Sequence, residues 1–137
     1  MRALLDTNVI LDFFLVRSPN DTAARKIFEL ISQEKLAAYV TANSITDIYY
    51  IVEKRLGNNT AREVLKNLFN LLTVIAVDGE DCVSALDLPI SDYEDAVVVV
   101  CAQKDAVDII VTNDAEFLTV DPALTRAVAP ADFLGLI

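Results

Sequence analysis

The chain opens with a short apolar strand that stops at a carboxylate and passes directly into a helical pattern. Residues 2–5 are followed by Asp6, Thr7 and Asn8, after which apolar residues recur at helical spacing. Open α/β folds bind their ligands at the carboxyl edge of the sheet. This opening therefore predicts that Asp6 lies at such an edge.

A second segment repeats the arrangement near the end of the chain. Asp108 and the apolar residues 109–111 run into Thr112, Asn113 and Asp114. If the two strands are neighbours, about 4.8 Å apart, their terminal side chains can point into one crevice. Two strand-end clusters of Asp and Asn thus indicate one shared cation site.

Strand and helix patterns alternate along the whole chain. The predicted helices cover about 9–15, 21–34, 45–55 and 79–86, with a further helix begun by a capping box at Thr60 and Glu63, and the predicted strands include 36–40 and 72–77. Alternation of this kind favours βαβ units and a parallel sheet. The chain is expected to be one α/β domain over residues 1–137.

The segment after Pro89 carries conflicting signals. Residues 97–100 are four consecutive valines, which by propensity favour a buried strand. Ser91 and Glu94, however, form a second capping box, and the pattern continues to Lys104. We predict a buried helix.

Composition excludes several kinds of catalytic site. Histidine is absent, which removes Ser-His-Asp and Cys-His nucleophilic systems and His-based zinc or iron sites. Cys82 and Cys101 lie in apolar surroundings without CxxC spacing, so both are expected to be buried free thiols. Carboxylate and amide oxygens remain, which are ligands for Mg²⁺ or Mn²⁺.

Charge is distributed unevenly. Residues 1–77 hold nine basic and eight acidic residues, whereas residues 78–137 hold two and thirteen. The basic residues of the first part form either solvated helix faces or a rim around an acidic pocket: Arg17, Arg25, Lys26, Lys35, Lys54, Arg55, Arg62 and Lys66.

The longest apolar run, residues 96–102, is far shorter than the ~20 residues of a membrane span. A cytoplasmic protein without membrane contact is expected.

Three acids are predicted to form the reactive centre. Asp6 and Asp114 follow strands, and Asp95 lies in the first turn of the helix that leads into the second of them. Clustered carboxylates repel one another and need protons or a cation. A divalent metal held there would support phosphodiester hydrolysis. Among the other acids, Asp92 and Glu94 are interpreted as helix-start residues, Asp12 as a solvated helix residue and Asp78 as a cap.

Four motifs in this order resemble the PIN domain, especially its VapC-type toxin ribonucleases. They are DTNVILD at 6–12, DYEDAVVVVCA at 92–102, VTNDAEF at 111–117 and APADFLGLI at 129–137. The resemblance implies a three-layer α/β/α sandwich with a five-stranded, mainly parallel sheet. It also implies an endoribonuclease dependent on Mg²⁺ or Mn²⁺, an RNA substrate, a homodimer and a cognate antitoxin protein.

The resemblance assigns site residues one by one. It implies Asp6, Asp47, Asp95 and Asp114 as catalytic acids, with Asp6, Asp95 and Asp114 on the metal and Asn8, Thr112, Asn113 and Asp92 in support. The family commonly has Glu where this chain has Asp47, and Asp is one methylene shorter. A water-mediated contact of Asp47 with the metal is therefore expected.

Two other functions remain open on the sequence. A catalytically degenerate PIN-like module could bind RNA or a partner protein, as the short Asp47 and the acidic second half suggest. A phospho-accepting receiver domain would use Asp78, but the acidic pair expected at the first strand and the Lys expected after the last strands are missing.

Overall fold

Strands and helices alternate through the computed structural model, which describes all residues 1–137. The strands are β1 (Arg2–Leu5), β2 (Ala37–Thr41), β3 (Thr73–Ile75), β4 (Ile109–Val111) and β5 (Ala127–Val128). The helices are α1 (Thr7–Phe14), α2 (Asp21–Ser32), α3 (Ala42–Leu56), α4 (Asn58–Leu71), α5 (Gly79–Ala85), α6 (Tyr93–Lys104) and α7 (Pro130–Leu134), with a 3-10 helix at Phe117–Thr119. None of the helices combines the length and apolar character needed to cross a bilayer.

The five strands form one parallel sheet in the order β3-β2-β1-β4-β5. The chain moves outward from β1 through β2 to β3 and then returns to the other side of β1 as β4. Leu5 of β1 pairs with Val111 of β4. The carboxyl ends of β1 and β4 therefore flank the point where strand order reverses, which is where parallel α/β sheets open a crevice.

Helices cover both faces of the sheet. Ala3 and Leu5 of β1 pack into a core with helices α1–α4 and α7, whereas Leu4 packs into a second core with α5 and α6. Strand β4 divides in the same way, because Ile110 faces the second core and its two neighbours face the first. This period-two alternation, with apolar residues on both faces, is typical of a buried parallel strand. The predicted α/β/α sandwich is confirmed.

The valine-rich segment is a helix, as predicted. Helix α6 buries Ala96 to Val99, Cys101 and Ala102, so nearly its whole circumference is apolar and β-branched residues are tolerated. The predicted capping residue is wrong. Asp92 is the N-cap and accepts from the Asp95 N–H, while the Ser91 hydroxyl donates to Glu116.

Other details of the prediction are corrected. Helix α4 begins at Asn58 directly after Gly57, whose φ of 89° turns the chain, so Thr60 and Glu63 lie inside the helix and form no capping box. Helix α3 begins at Ala42, three residues before the predicted start. Cys101 is buried, but Cys82 is exposed on α5, because only part of this short helix faces the core.

Candidate active site

An acidic cleft lies at the carboxyl ends of β1 and β4. Its volume is about 460 Å³. It is lined by Asp6, Thr7, Asn8, Leu11, Arg17, Asp47, Tyr50, Ile51, Asp92, Glu94, Asp95 and Asp114. The four predicted catalytic acids therefore line one cleft, although they are widely separated in the sequence.

Asp6 is held rigidly at the end of β1. Its backbone N–H donates to the Val111 carbonyl at 2.9 Å, which ties it to the neighbouring strand. One carboxylate oxygen accepts from the Thr7 N–H at 2.8 Å, and the other accepts from Thr112 Oγ1 at 2.7 Å and Asn8 Nδ2 at 3.2 Å. Burial still raises the pKa of Asp6, and the charge of Asp114 raises it further, although the three donors act in the opposite direction.

The residues after β4 are joined to the residues after β1. Asn8 Oδ1 accepts from the Asn113 N–H at 3.0 Å, and the Asp114 N–H donates to Thr112 Oγ1 at 3.0 Å. A carboxylate oxygen of Asp114 accepts from the Glu116 N–H at 3.0 Å. Asn8 and Thr112 thus lie where the resemblance expects supporting residues, between the two strand-end acids.

Asp95 is buried in the first turn of α6 without a compensating charge. None of the four ion pairs of the chain includes its carboxylate. Burial, followed by the charges of Asp92, Asp6, Asp114 and Glu94, raises the pKa of Asp95 to about 7. A proton or a cation is therefore needed near this carboxylate at neutral pH.

Asp47 and Glu94 face each other in the same cleft. The pKa of Glu94 is raised first by burial and then by the charge of the nearby Asp47 carboxylate. Sequence reasoning treated Glu94 only as a helix-start residue, so it missed this placement. The longer Glu94 side chain lies beside Asp47, which is one methylene shorter than the Glu that the resemblance implies at this position.

A sequence model of the PIN domain family matches residues 2–116. The chain belongs to the PIN domain family. It is also similar to ribonuclease VapC1 of Aquifex aeolicus, with 26% identity over 125 residues that cover 88% of this chain and 86% of that protein.

Solved structures share the fold of this PIN domain. The VapBC2 complex of Rickettsia felis, bound to a DNA fragment from its promoter, matches with a TM-score of 0.68 and 14% identity, over 94% of this chain and 98% of that one. VapC20 of Mycobacterium tuberculosis, a toxin that cleaves the sarcin-ricin loop, matches with a TM-score of 0.66 and 13% identity, over 84% and 92%.

Asp12 of the PIN domain is not the solvated residue that the sequence suggested. It is only 4% exposed, and its two carboxylate oxygens accept from Arg17 Nε at 2.8 Å and from Asn113 Nδ2 at 2.7 Å. The sequence did contain a signal, because Asp12 lies four residues after Asn8 and so shares its helix face. The burial itself depends on β4, which brings Asn113 to this face.

The basic residues do not form a rim around the cleft. Arg17 alone among them lines it. Arg25 pairs with Asp21, and Lys66 pairs with Glu63, within their own helices. Arg25 and Lys66 therefore belong to solvated helix faces. Of the basic residues, only Arg17 lies at the acidic pocket.

The donors of the cleft suit a hard cation, although they are not gathered into a complete ligand set. No three acidic side chains come together closely enough to hold one ion. The Thr7 hydroxyl in the cleft wall is buried and has no hydrogen-bond partner in the chain. Mg²⁺ commonly binds through one or two carboxylates and keeps several waters. The residues present fit an ion of that kind.

Proposed function

We propose that this PIN domain is a divalent-metal-dependent endoribonuclease that hydrolyses RNA phosphodiesters as the toxin of a toxin-antitoxin pair. The observation that carries the proposal is the acidic cleft at the strand-order reversal, where Asp6, Asp95 and Asp114 converge from three separate parts of the chain. The similarity to a ribonuclease and to toxin structures supports the same reading.

In this proposal Asp6, Asp95 and Asp114 hold Mg²⁺ or Mn²⁺ together with its waters, with one or two of the three carboxylates in direct contact with the ion. The ion would supply a bound water of lowered pKa and would stabilise charge on the phosphate under attack. Asn8 and Thr112 orient the Asp6 carboxylate through the hydrogen bonds described above. Asp47 contributes through water, since its side chain is short and Glu94 lies beside it.

Asp95 binds the ion in competition with a proton. Burial and the surrounding carboxylates raise its pKa to about 7 in the metal-free protein, and a bound divalent cation would favour the charged form and lower that pKa. Asp92 fixes the first turn of α6 by accepting from the Asp95 N–H at 3.1 Å. In this proposal Asp92 is therefore a positioning residue for Asp95.

The proposal includes two protein partners. An antitoxin is inferred because similar structures are of VapBC complexes. A homodimer is inferred because exposed apolar side chains lie along α3 and α4, namely Tyr50, Ile51, Leu56 and Phe69. An RNA-cleaving toxin would act in the cytoplasm, where its substrate is.

Asp6→Asn tests the enzymatic proposal. The change removes a charge but keeps the shape of the side chain, so we expect RNA cleavage in Mg²⁺ or Mn²⁺ to fall at least about 100-fold while the fold is kept. Cleavage of a labelled single-stranded RNA, with and without a chelator, measures the effect. Asp87→Asn is the matched control, because Asp87 is exposed and outside the cleft. Equal rates for Asp6→Asn and the control would contradict the proposal.

A degenerate RNA-binding module is the second candidate. It is favoured by the short Asp47 and by the absence of any three acids close enough to form a ligand set. In the same experiment this candidate predicts that neither wild type nor Asp6→Asn cleaves RNA, while both bind it equally.

A further inference from the structure

Arg17 is the one positive side chain in a cleft that otherwise repels RNA. Six carboxylates line the cleft together with it: Asp6, Asp47, Asp92, Glu94, Asp95 and Asp114. A phosphodiester entering this space carries charge of the same sign as these groups. Besides bound cations, Arg17 is the group there that can attract it.

The guanidinium of Arg17 is fixed from the protein side. Its Nε donates to the buried Asp12 at 2.8 Å, and Nη2 donates to the Asn8 carbonyl at 3.1 Å. Nη1 has no partner in the chain, and the side chain keeps 37% exposure. A guanidinium held in this way loses little further freedom on binding an anion.

The same network reaches the metal-binding acids. Asp12 also accepts from Asn113 Nδ2, and the Asn113 N–H donates to Asn8 Oδ1. Asn8 in turn donates to Asp6. Arg17 and Asp6 are therefore held by one set of hydrogen bonds. This network fixes the position of the Arg17 guanidinium, which can donate to a phosphate, relative to the acids.

The backbone before Arg17 adopts an uncommon conformation. Val16 has a φ of 52°, which is unfavourable for a β-branched residue, and its side chain is exposed. This turn lets the Arg17 N–H donate to the Asp12 carbonyl at 3.1 Å, so backbone and side chain of Arg17 both contact Asp12.

We propose that Arg17 is a substrate-binding residue that donates from Nη1 to a phosphate oxygen of the RNA at the acidic cleft. The proposal rests on the proposed ribonuclease function and adds a residue to it. The buried Asp12 orients the guanidinium, and the free donor makes the contact with RNA.

The first test compares Arg17→Ala with Arg25→Ala. Both changes remove one arginine that is paired with an aspartate, but Arg25 lies outside the cleft. In an Asp6→Asn host, binding of a labelled single-stranded RNA is expected to weaken about 10- to 100-fold for Arg17→Ala, and less than about twofold for Arg25→Ala. The slope of log Kd against log salt should fall by about 0.7 for Arg17→Ala only. With Asp6 intact, Arg17→Ala should raise KM more than it lowers kcat.

A second variant separates RNA binding from folding. Arg17→Ala leaves Asp12 buried without its partner and can unfold the turn, so Asp12→Asn is combined with it to remove the buried charge. The double variant is expected to melt close to wild type and still bind RNA weakly. Wild-type RNA binding by the double variant would overturn the proposal, because Arg17 would then serve only to neutralise Asp12.

The outcomes also distinguish this proposal from the enzymatic one. If wild type cleaves RNA and Arg17→Ala matches Arg25→Ala in KM and salt slope, the role of Arg17 is refuted while the ribonuclease stands. If the Asp6→Asn host binds no RNA, Arg17 is refuted as a phosphate contact, and the cleavage assay of wild type decides the proposed function separately.

Discussion

Two acids of the cleft are stabilised in different ways. Asp6 accepts three hydrogen bonds, whereas no ion pair offsets the charge of Asp95. Hydrogen bonds to a carboxylate favour its charged form, and burial disfavours it. Asp95 therefore carries the largest electrostatic penalty of the cleft, and its pKa is raised to about 7.

The stability of the metal-free protein should depend on Asp95. In the unfolded chain the pKa of Asp95 has its ordinary value of 3.8, whereas in the folded protein it is about 7. The folded state is therefore favoured by protonation of Asp95. This contribution to the free energy of unfolding is complete below pH 3.8 and is lost as pH rises through about 7. In a chelator, wild type should melt at a lower temperature near pH ~8 than near pH ~5.5. Asp95→Asn should raise the melting temperature near pH ~8 by about 4 °C or more, for roughly 1 kcal/mol.

The pH slope is the decisive measurement for this prediction. Burial also raises the pKa of Asp6 and Glu94, so Asp95→Asn should flatten the slope without removing it. Asp87→Asn serves again as control and should retain the wild-type slope. Identical slopes for Asp95→Asn and wild type would show that Asp95 does not titrate in this range.

At the scale of elements, three helices end in the same way without glycine. Val16, Glu34 and Ala106 have positive φ values directly after the C-caps of α1, α2 and α6. In each case the next residue closes a Schellman bond back into the last turn, as Val107 does to the Ala102 carbonyl at 2.9 Å. Glycine is the usual residue at this position. Because none of these three positions is glycine, the sequence does not mark where these helices end.

Ala106→Gly should stabilise the protein. Ala106 is exposed and has a φ of 52°, so its Cβ costs about 1 kcal/mol there, and glycine removes that cost. We expect the free energy of unfolding to rise by about 0.5–1 kcal/mol, measured by urea denaturation. The matched control is Ala23→Gly within α2, which should lower it by about 1 kcal/mol. Destabilisation by Ala106→Gly would argue against the left-handed conformation at this site.

At the scale of the molecule, the outer surface of α3 and α4 is a candidate dimer interface. Phe69 on α4 is 50% exposed, and Leu56 at the end of α3 is exposed as well. Exposed large apolar residues in a group often mark a protein interface. Val52 and Leu68 of the same two helices belong to the core instead, because both are fully buried.

Phe69→Arg should weaken the proposed dimer. A charge placed in a buried apolar contact costs several kcal/mol, so dissociation should increase roughly tenfold or more. Analytical ultracentrifugation of wild type and variant measures this change. Val83→Arg is the control, since Val83 is 67% exposed on α5, which packs on the opposite face of the sheet from α3 and α4. A wild type that stays monomeric, or a dimer that Phe69→Arg leaves intact, would contradict the prediction.

The local pattern of the sequence was sufficient to predict much of the fold. Apolar runs ending in Asp6 and Asp114 predicted β1 and β4 correctly, because a buried parallel strand is continuously apolar and its carboxyl end meets a polar turn. The helix at Tyr93–Lys104 was predicted, despite the valines, from the capping signal at Ser91 and Glu94 and from a pattern that continues to Lys104. Strand β5 was implied only by the family resemblance, because its two residues, Ala127 and Val128, carry no periodicity.

Tertiary structure decided which side chains meet. Asp12 is buried because Asn113, 101 residues later, and Arg17, five residues later, both reach it, and no local pattern encodes the first of these contacts. Glu94 faces Asp47 because α3 and α6 both border the cleft where strand order reverses. The sequence by itself determined the elements and the acids at their ends, since these depend on neighbours along the chain. The spatial order of the strands determined the cleft, since contacts between distant residues exist only after the sheet has assembled.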